Sequence, residues 1–313
     1  MSLMIDCRNV IKIYYNRTKK IKMAALRGVE LKVKKGKIVA IVGPSGAGKS
    51  TLLKILGALE FPSSGTVHVA NKLLNTFSDS QIIDYHRNWV GFVWQAPLRN
   101  VLTSEKAINN VFLPMRIAGK IPQNKQKERA KELLQAVGLD HRMNHKPSQL
   151  SGGEIQRLGI ATALANDPKI ILMDEPTGEL DSETTAEIFT LLKELNSYFD
   201  KTIVIVSHDQ YLEQKADVVY RISDGLLLNI DITKSLELDS SKEQVSYMDE
   251  FGLVRIPLSF IKELGIQNYV KIKRTTDRIE ILPHIQEAAS ESTSEETKKK
   301  NSKRKSSTKK KRR

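Results

Sequence analysis

Apolar and polar positions follow two rhythms along residues 1–230. The short runs IVAIV (38–42), IILM (170–173) and TIVIV (202–206) are bounded by Gly, Pro, Lys or polar residues. Each is rich in strand-favouring residues and too short for a buried helix, so each predicts a buried central strand. Between them, QKERAKELLQAV (126–137) carries apolar positions at helical spacing and stops at Gly138. That pattern predicts an amphipathic helix with a glycine terminator. Alternating strand-like and helix-like segments predict an α/β domain over 1–230. Residues 231–244 are mainly polar, without Gly or Pro, and read as a linker. A compact segment, 245–285, follows. Residues 286–313 are Ser, Thr and Glu, then Lys and Arg, with too few apolar side chains to offset ordering entropy, and so predict a disordered tail.

Composition adjusts this picture in three places. A chain of 313 residues with 40% hydrophobic and 6% aromatic content builds a globular core and fits about two domains. Cys7 is the sole cysteine, which excludes an intrachain disulfide or a cysteine zinc cluster and suits a reducing compartment. No apolar run approaches the ~20 residues of a membrane span, and MSLMIDCRNV places Asp6 and Arg8 where a signal peptide needs an apolar core. A membrane span, if function requires one, is expected from a partner. The net charge of +14 is uneven: 11 basic groups and no acid lie in the last 16 residues. Residues 1–297 carry only +3.

The sharpest chemical pattern is GPSGAGKST, comprising Gly43, Pro44, Ser45, Gly46, Ala47, Gly48, Lys49, Ser50 and Thr51. It satisfies the GxxxxGK[ST] spacing directly after the IVAIV strand and before the helical TLLKILGALE. Its glycines let successive N–H groups face one anion at a positive helix end. Lys49 would then reach the β- and γ-phosphates of a nucleotide, and the Ser50 hydroxyl would ligate Mg²⁺. A plain glycine turn is the bland alternative. The second pattern is IILMDE, an apolar strand delivering Asp174 and Glu175 at its C-terminal end, where α/β sheets place ligands. Strand alternation would send the two carboxylates to opposite faces, one to the metal and one to the attacking water as general base. Alone, such a pair is usually a solvated turn.

LSGGE, with Ser151, Gly152, Gly153 and Glu154, lies 16 residues before that strand and opens the helix IQRLGIATALA. Ser151 and Glu154 fit a reciprocal capping box, which accounts for neither of the two helix-weakening glycines between them. With these motifs the chain resembles an ABC-type ATPase, a P-loop NTPase with a RecA-like core, an antiparallel β subdomain and a helical subdomain. The resemblance implies that LSGGE meets ATP bound by the other copy of a homodimer. It assigns Gln95 (GFVWQ) to Mg²⁺ and the attacking water, and the loop GELD with Asp181 to the dimer interface. His208 (VIVSHD) becomes the γ-phosphate switch, and Tyr14 the aromatic that stacks on adenine, although the adjacent Tyr15 and a core role for Tyr14 are competing readings. Catalysis then rests on Glu175, His208 and Gln95, and metal binding on Ser50, Gln95 and Asp174.

Segments such as AALRGVEL, ILGALEFPSSG and DEPTGELDSET resemble one branch, the ATPases of lipoprotein release, macrolide export and FtsE-type systems. That branch implies a separately encoded permease of the FtsX or MacB type and a cytoplasmic ATPase peripheral on the inner face of the cell membrane. Glu179 stands where the branch usually has Asn, and the stretch from Gln95 to Val111 is slightly longer than usual. MDEFGLVRIPLSFIKELGI (248–266) resembles the swapped-hairpin domain of AbrB and SpoVT regulators, which implies strands at 270–273 and 278–282 and a role in dimerisation. A plain β-hairpin is its alternative. Leu253 occupies the position that often carries Arg in those regulators. The basic tail has three readings: solubiliser, anionic-lipid contact or nucleic-acid contact. The competing function is a soluble nucleic-acid-associated ABC-type ATPase. Only 101 residues separate Lys49 from Ser151, too few for a long coiled coil, and there is one ATPase domain rather than a tandem pair.

Overall fold

A computed structural model of the chain describes residues 2–16, 21–209, 212, 215–231, 256, 261, 263–266, 270–276 and 278–283. The chain divides into two compact units, Met1–Arg255 and Ile256–Arg313.

In the first unit, the three runs read as central strands are β3 (Ile38–Val42), β7 (Ile170–Asp174) and β8 (Thr202–Ser207). With β6 (Val90–Val93), β9 (Val218–Ser223) and β10 (Leu226–Asp231) they form a six-stranded sheet in the order β10-β9-β3-β8-β7-β6. All neighbours are parallel except β10 and β9. Burial of both faces explains the unbroken apolar runs. Ala40, Met173 and Ile205 point into a core shared with helices α3 (Ala107–Ala118), α4 (Gln123–Ala136), α5 (Gly152–Leu164) and α6 (Ser182–Phe199). Ile41, Leu172 and Val204, one residue along in each strand, enter the other core. That core is completed by α1 (Lys49–Leu56), by Tyr85 of α2 (Asp79–Asn88), and by a four-stranded antiparallel sheet. Its order is β2-β1-β4-β5, from β1 (Leu3–Asn16), β2 (Ile21–Lys34), β4 (Ser64–Val69) and β5 (Lys72–Leu73).

The predicted helix over 126–137 is α4, which starts three residues earlier because Pro122, at φ −53, forms its N-terminal boundary. Gly138 follows it in the left-handed region. The predicted linker begins one residue inside β10; its remaining residues lie outside those described, as do most of 245–285 and the tail, 286–313. In the second unit, β11 (Val270–Arg274) and β12 (Ile279–Pro283) pair antiparallel at the positions read as strands.

Parallel pairing puts the C-terminal ends of β3, β6, β7, β8 and β9 on one edge of the sheet. Every strand-end candidate therefore arrives at that edge: the phosphate loop from β3, Gln95 from β6, Asp174 and Glu175 from β7, and His208 from β8.

Candidate functional site

The loop between β3 and α1 surrounds a cavity of about 430 Å³. Predicted residues lining it are Tyr14, Ser45, Gly46, Gly48, Lys49, Ser50, Thr51 and Glu175. Gly48 has φ +103, and a Cβ there would lie 2.5 Å from the Ala25 carbonyl oxygen, so glycine is required. At Gly46, with φ +79, a Cβ would meet nothing within 4 Å and would project into open space. The loop thus leaves a concavity beside its own N–H groups. Lys49, the first residue of α1, is only 5% exposed. Its Nζ donates to the carbonyls of Gly43 (2.8 Å) and Pro44 (3.0 Å) and stands 3.8 Å from Glu175 Oε1. A buried ammonium held by its own loop offers fixed positive charge to an anion.

The two carboxylates have different environments, as the sequence predicts, but for another reason. Asp174 ends β7 and accepts from Ser50 Oγ at 3.0 Å. Glu175 has left the strand: its φ is +45, its N–H donates to Val206 O at 2.9 Å, and its carbonyl accepts from Gly178 N at 3.1 Å. A non-glycine residue in the left-handed region carries strain, so the turn, and not strand alternation, separates the two side chains. Glu175 Oε2 lies 3.3 Å from His208 Nδ1, and His208 is mostly exposed. Gln95 does not line the cavity, yet a Cβ on Gly178 would sit 3.5 Å from both its Nε2 and the Glu175 carbonyl oxygen. Gln95, Glu175 and Gly178 are therefore neighbours.

Burial raises the pKa of Asp174; the Ser50 hydrogen bond opposes this, and the Glu175 charge adds to the rise. A cation beside Asp174 would relieve that cost. Among the described residues no three His, Cys, Asp or Glu side chains gather as a metal site. One hydroxyl and one carboxylate do suit Mg²⁺, which keeps water and takes oxygens from substrate phosphates. The residues present fit the ion.

The LSGGE residues do not line this cavity. Ser151 caps α5, accepting from Glu154 N at 3.2 Å, while Glu154 Oε2 accepts from Ser151 N at 2.8 Å and Oε1 from Arg142 Nε at 3.0 Å. The bond from the Ser151 N–H, with Arg142 helping, holds the Glu154 carboxyl below its ordinary range. Asp181 caps α6, accepting from Thr184 N (2.9 Å) and Thr184 Oγ1 (2.8 Å). The two caps touch. A Cβ on Gly152 would lie 3.6 Å from Leu180 Cδ2, and one on Gly153 would lie 2.7 Å from Thr184 Cγ2. Packing against α6 thus explains one of the glycines that capping left unexplained.

Several site residues escaped the sequence reading. Met23, Arg27, Asp224 and Gly225 also line the cavity. Gly225 N donates to Ala47 O at 2.9 Å and Arg27 N donates to Gly225 O at 2.8 Å, tying the β9–β10 turn to β2 and the phosphate loop. The Asp-Gly pair is a recognisable hairpin signal, but its partners are more than 170 residues away in the chain. Asn100 holds the Gln95 loop by accepting from Trp94 N (2.7 Å) and donating to Trp94 O (3.0 Å), with no signal in the sequence. Tyr14 lines the cavity; Tyr15 is 55% exposed and does not.

A phosphate loop opening a helix, with paired carboxylates on a neighbouring strand end, defines a P-loop nucleotide hydrolase. Residues 26–178 match the family model "ABC transporter". A lipoprotein-releasing system ATP-binding protein LolD from Saccharophagus degradans is 43% identical over 223 residues, 71% of this chain and 96% of that protein. An uncharacterized ABC transporter ATP-binding protein from Thermotoga maritima is 43% identical over 74% of this chain and 96% of its own length. The ATP-binding cassette MJ0796, solved as a dimer in a post-hydrolysis state bound to ADP and Pi, superposes with a TM-score of 0.67 at 38% identity, covering 74% of this chain and 100% of that one. The chain belongs to the ABC transporter ATP-binding proteins: it is an ATP-binding, ATP-hydrolysing subunit of an ABC transporter. Among the described residues no helix is long and apolar enough to cross a membrane.

Proposed function

We propose that two copies of this chain close on two ATP molecules and drive a separately encoded membrane permease of the FtsX or MacB type. Each nucleotide lies between the phosphate loop of one copy and the LSGGE turn of the other. Lys49 and the loop N–H groups hold the phosphates, and Tyr14 takes the adenine. Ser50, Asp174 and Gln95 would hold Mg²⁺, which would supply charge neutralisation at the phosphates. Glu175 accepts the proton of the attacking water, and His208 contacts the γ-phosphate. The observation that carries this reading is the placement of Glu175, turned out of β7 at φ +45 between Lys49 at 3.8 Å and His208 at 3.3 Å.

The LolD relatives and the dimeric MJ0796 cassette support the permease and the dimer. They also favour a cytoplasmic site of action, peripheral on the inner face of the cell membrane. In this reading residues 245–285 form an AbrB-like dimerisation domain that keeps two ATPase domains at high local concentration through the 231–244 linker. The basic tail contacts anionic lipid, where each basic residue contributes about 1 kcal/mol.

Glu175→Gln tests the mechanism. The variant keeps ATP binding, loses turnover by about 10²–10⁴-fold and accumulates as an ATP-dependent dimer on size-exclusion chromatography; normal turnover would sink the assignment. Trapped with ATP in native membranes, with and without residues 298–313, it copurifies a multi-span permease. Nuclease-sensitive association would instead support the nucleic-acid reading.

A further inference from the structure

Around Tyr14 the structure holds a network that neither phosphate chemistry nor the metal uses. The Tyr14 hydroxyl donates to Glu60 Oε2 at 2.5 Å, across 46 residues of chain. Lys12 Nζ lies 3.3 Å from the same carboxylate oxygen, donates to the Phe61 carbonyl at 2.8 Å, and stands 5.1 Å from the centre of the Tyr14 ring. Lys54 of α1 lies 3.7 Å from Glu60 Oε1. Tyr14 pairs across the strands with Met23, and both line the cavity. A tyrosine at the mouth of an open cavity is free to turn about χ1 and χ2 unless its hydroxyl is tied. Here the Glu60 carboxylate ties it, with the Thr51 side chain as a second partner, and two ammonium groups hold that carboxylate.

We propose that Glu60 is a positioning residue for the nucleotide base: it fixes the Tyr14 ring in the orientation that presents its face, beside Met23, to the base. The inference rests on the reading above that Tyr14 takes the adenine. The titration properties agree with a shared proton held on the phenol. Burial and the Glu60 bond raise the pKa of Tyr14, and a Thr51 hydrogen bond opposes them without cancelling the rise. For Glu60, burial works upward, but the Tyr14 and Lys12 hydrogen bonds and the Lys12 and Lys54 charges outweigh it and bring the carboxyl down. Pre-ordering a contact side chain increases affinity because less freedom is lost on binding. The effect therefore belongs to base binding and leaves the phosphates alone.

The alternative role for Glu60 is to brace α1 through Lys54, and the two roles separate by ligand. In the full-length Glu175→Gln background, calorimetric titrations use Mg·ATP and, separately, inorganic tripolyphosphate, which has no base. Glu60→Ala is expected to weaken ATP about tenfold, the size of one charged hydrogen bond, and to leave tripolyphosphate affinity within about twofold. Glu60→Gln, whose amide oxygen still accepts from the phenol, recovers most of the loss. Tyr14→Phe weakens ATP by a similar factor, and Glu60→Ala adds nothing to it. Equal losses for ATP and tripolyphosphate, no loss of ATP affinity, or an undiminished Glu60→Ala effect in Tyr14→Phe would overturn the proposal. Unchanged ATP affinity in Tyr14→Ala would instead overturn the placement of the base on Tyr14.

Discussion

Two glycine-rich helix N-termini, the phosphate loop before α1 and the LSGGE turn before α5, have opposite local chemistry. α1 starts from Gly48 in the left-handed region with no side-chain cap, next to a buried Lys49 and a cavity of about 430 Å³. α5 starts from Ser151 with a reciprocal capping box, and its residues line no part of that cavity. An uncapped helix start leaves N–H groups for a ligand, whereas a capped one has spent part of that capacity on itself. The first is a complete cradle within one chain. The second is a firm, shaped surface whose use, in the proposed dimer, is to close over a cradle supplied by another copy.

The comparison breaks most visibly at Lys49. Replacing it with Ala is expected to weaken Mg·ATP binding about a hundredfold through loss of charge-assisted contacts, measured by titration. Disabling the LSGGE turn with Ser151→Arg should leave ATP binding to the monomer within about twofold, an estimate that follows from the turn's absence from the cavity. Mixing the two inactive variants then gives heterodimers with one intact composite site, so part of the turnover returns. No recovery, with heterodimers demonstrated by tagged pull-down, would break the two-copy reading.

A subtler experiment separates packing from function at Gly153. Gly153→Ala brings a methyl against Thr184 Cγ2, a separation of 2.7 Å before relaxation, and is expected to cost about 1–3 kcal/mol of stability. Thr184→Ser removes that methyl and keeps the hydroxyl that donates to Asp181 Oδ2. The double variant should regain the lost Tm while turnover stays several-fold low. Full recovery of both would reduce Gly153 to a packing residue.

The smallest effect concerns Asp174. Its pKa is raised in the fold, so the folded chain holds the proton more tightly than the unfolded one. That contribution to stability is present below the unfolded value near 3.9 and is lost as pH rises through the folded value. Asp174→Asn should therefore raise the Tm of the nucleotide-free protein more at pH 7.5 than at pH 5, by about 2 °C at most given its partial exposure. Added Mg·ATP should stabilise the parent and not the variant. A gain independent of pH would remove the electrostatic argument.

Legibility followed the range of the interactions. The phosphate loop and the Ser151–Glu154 box depend on atoms within about four residues, where spacing in the chain is spacing in space. The strands β3, β7 and β8 were legible because burial on both faces demands unbroken β-branched runs. The Asp174 and Glu175 pair was found, but the cause of their separation was not: a φ of +45 at a non-glycine residue has no sequence signature. Arg27, Asp224 and Gly225 were missed because the phosphate loop meets them only through the sheet order, with β9 beside β3 and the β9–β10 turn against β2.

By itself, then, the sequence determined the central strands, the anion-binding loop, the Ser151–Glu154 cap and the Asp174–Glu175 pair, since each follows from local spacing and from which side chains tolerate burial; Gln95 and His208 were named through the family resemblance. The tertiary structure decided which of these meet. It gathered the strand ends through parallel pairing, turned Glu175 toward Lys49 and His208, and tied Tyr14 to Glu60 across 46 residues. It also kept the LSGGE turn outside the cavity. Such contacts depend on strand order and on the packing of two cores against one sheet, and no local run of residues encodes either.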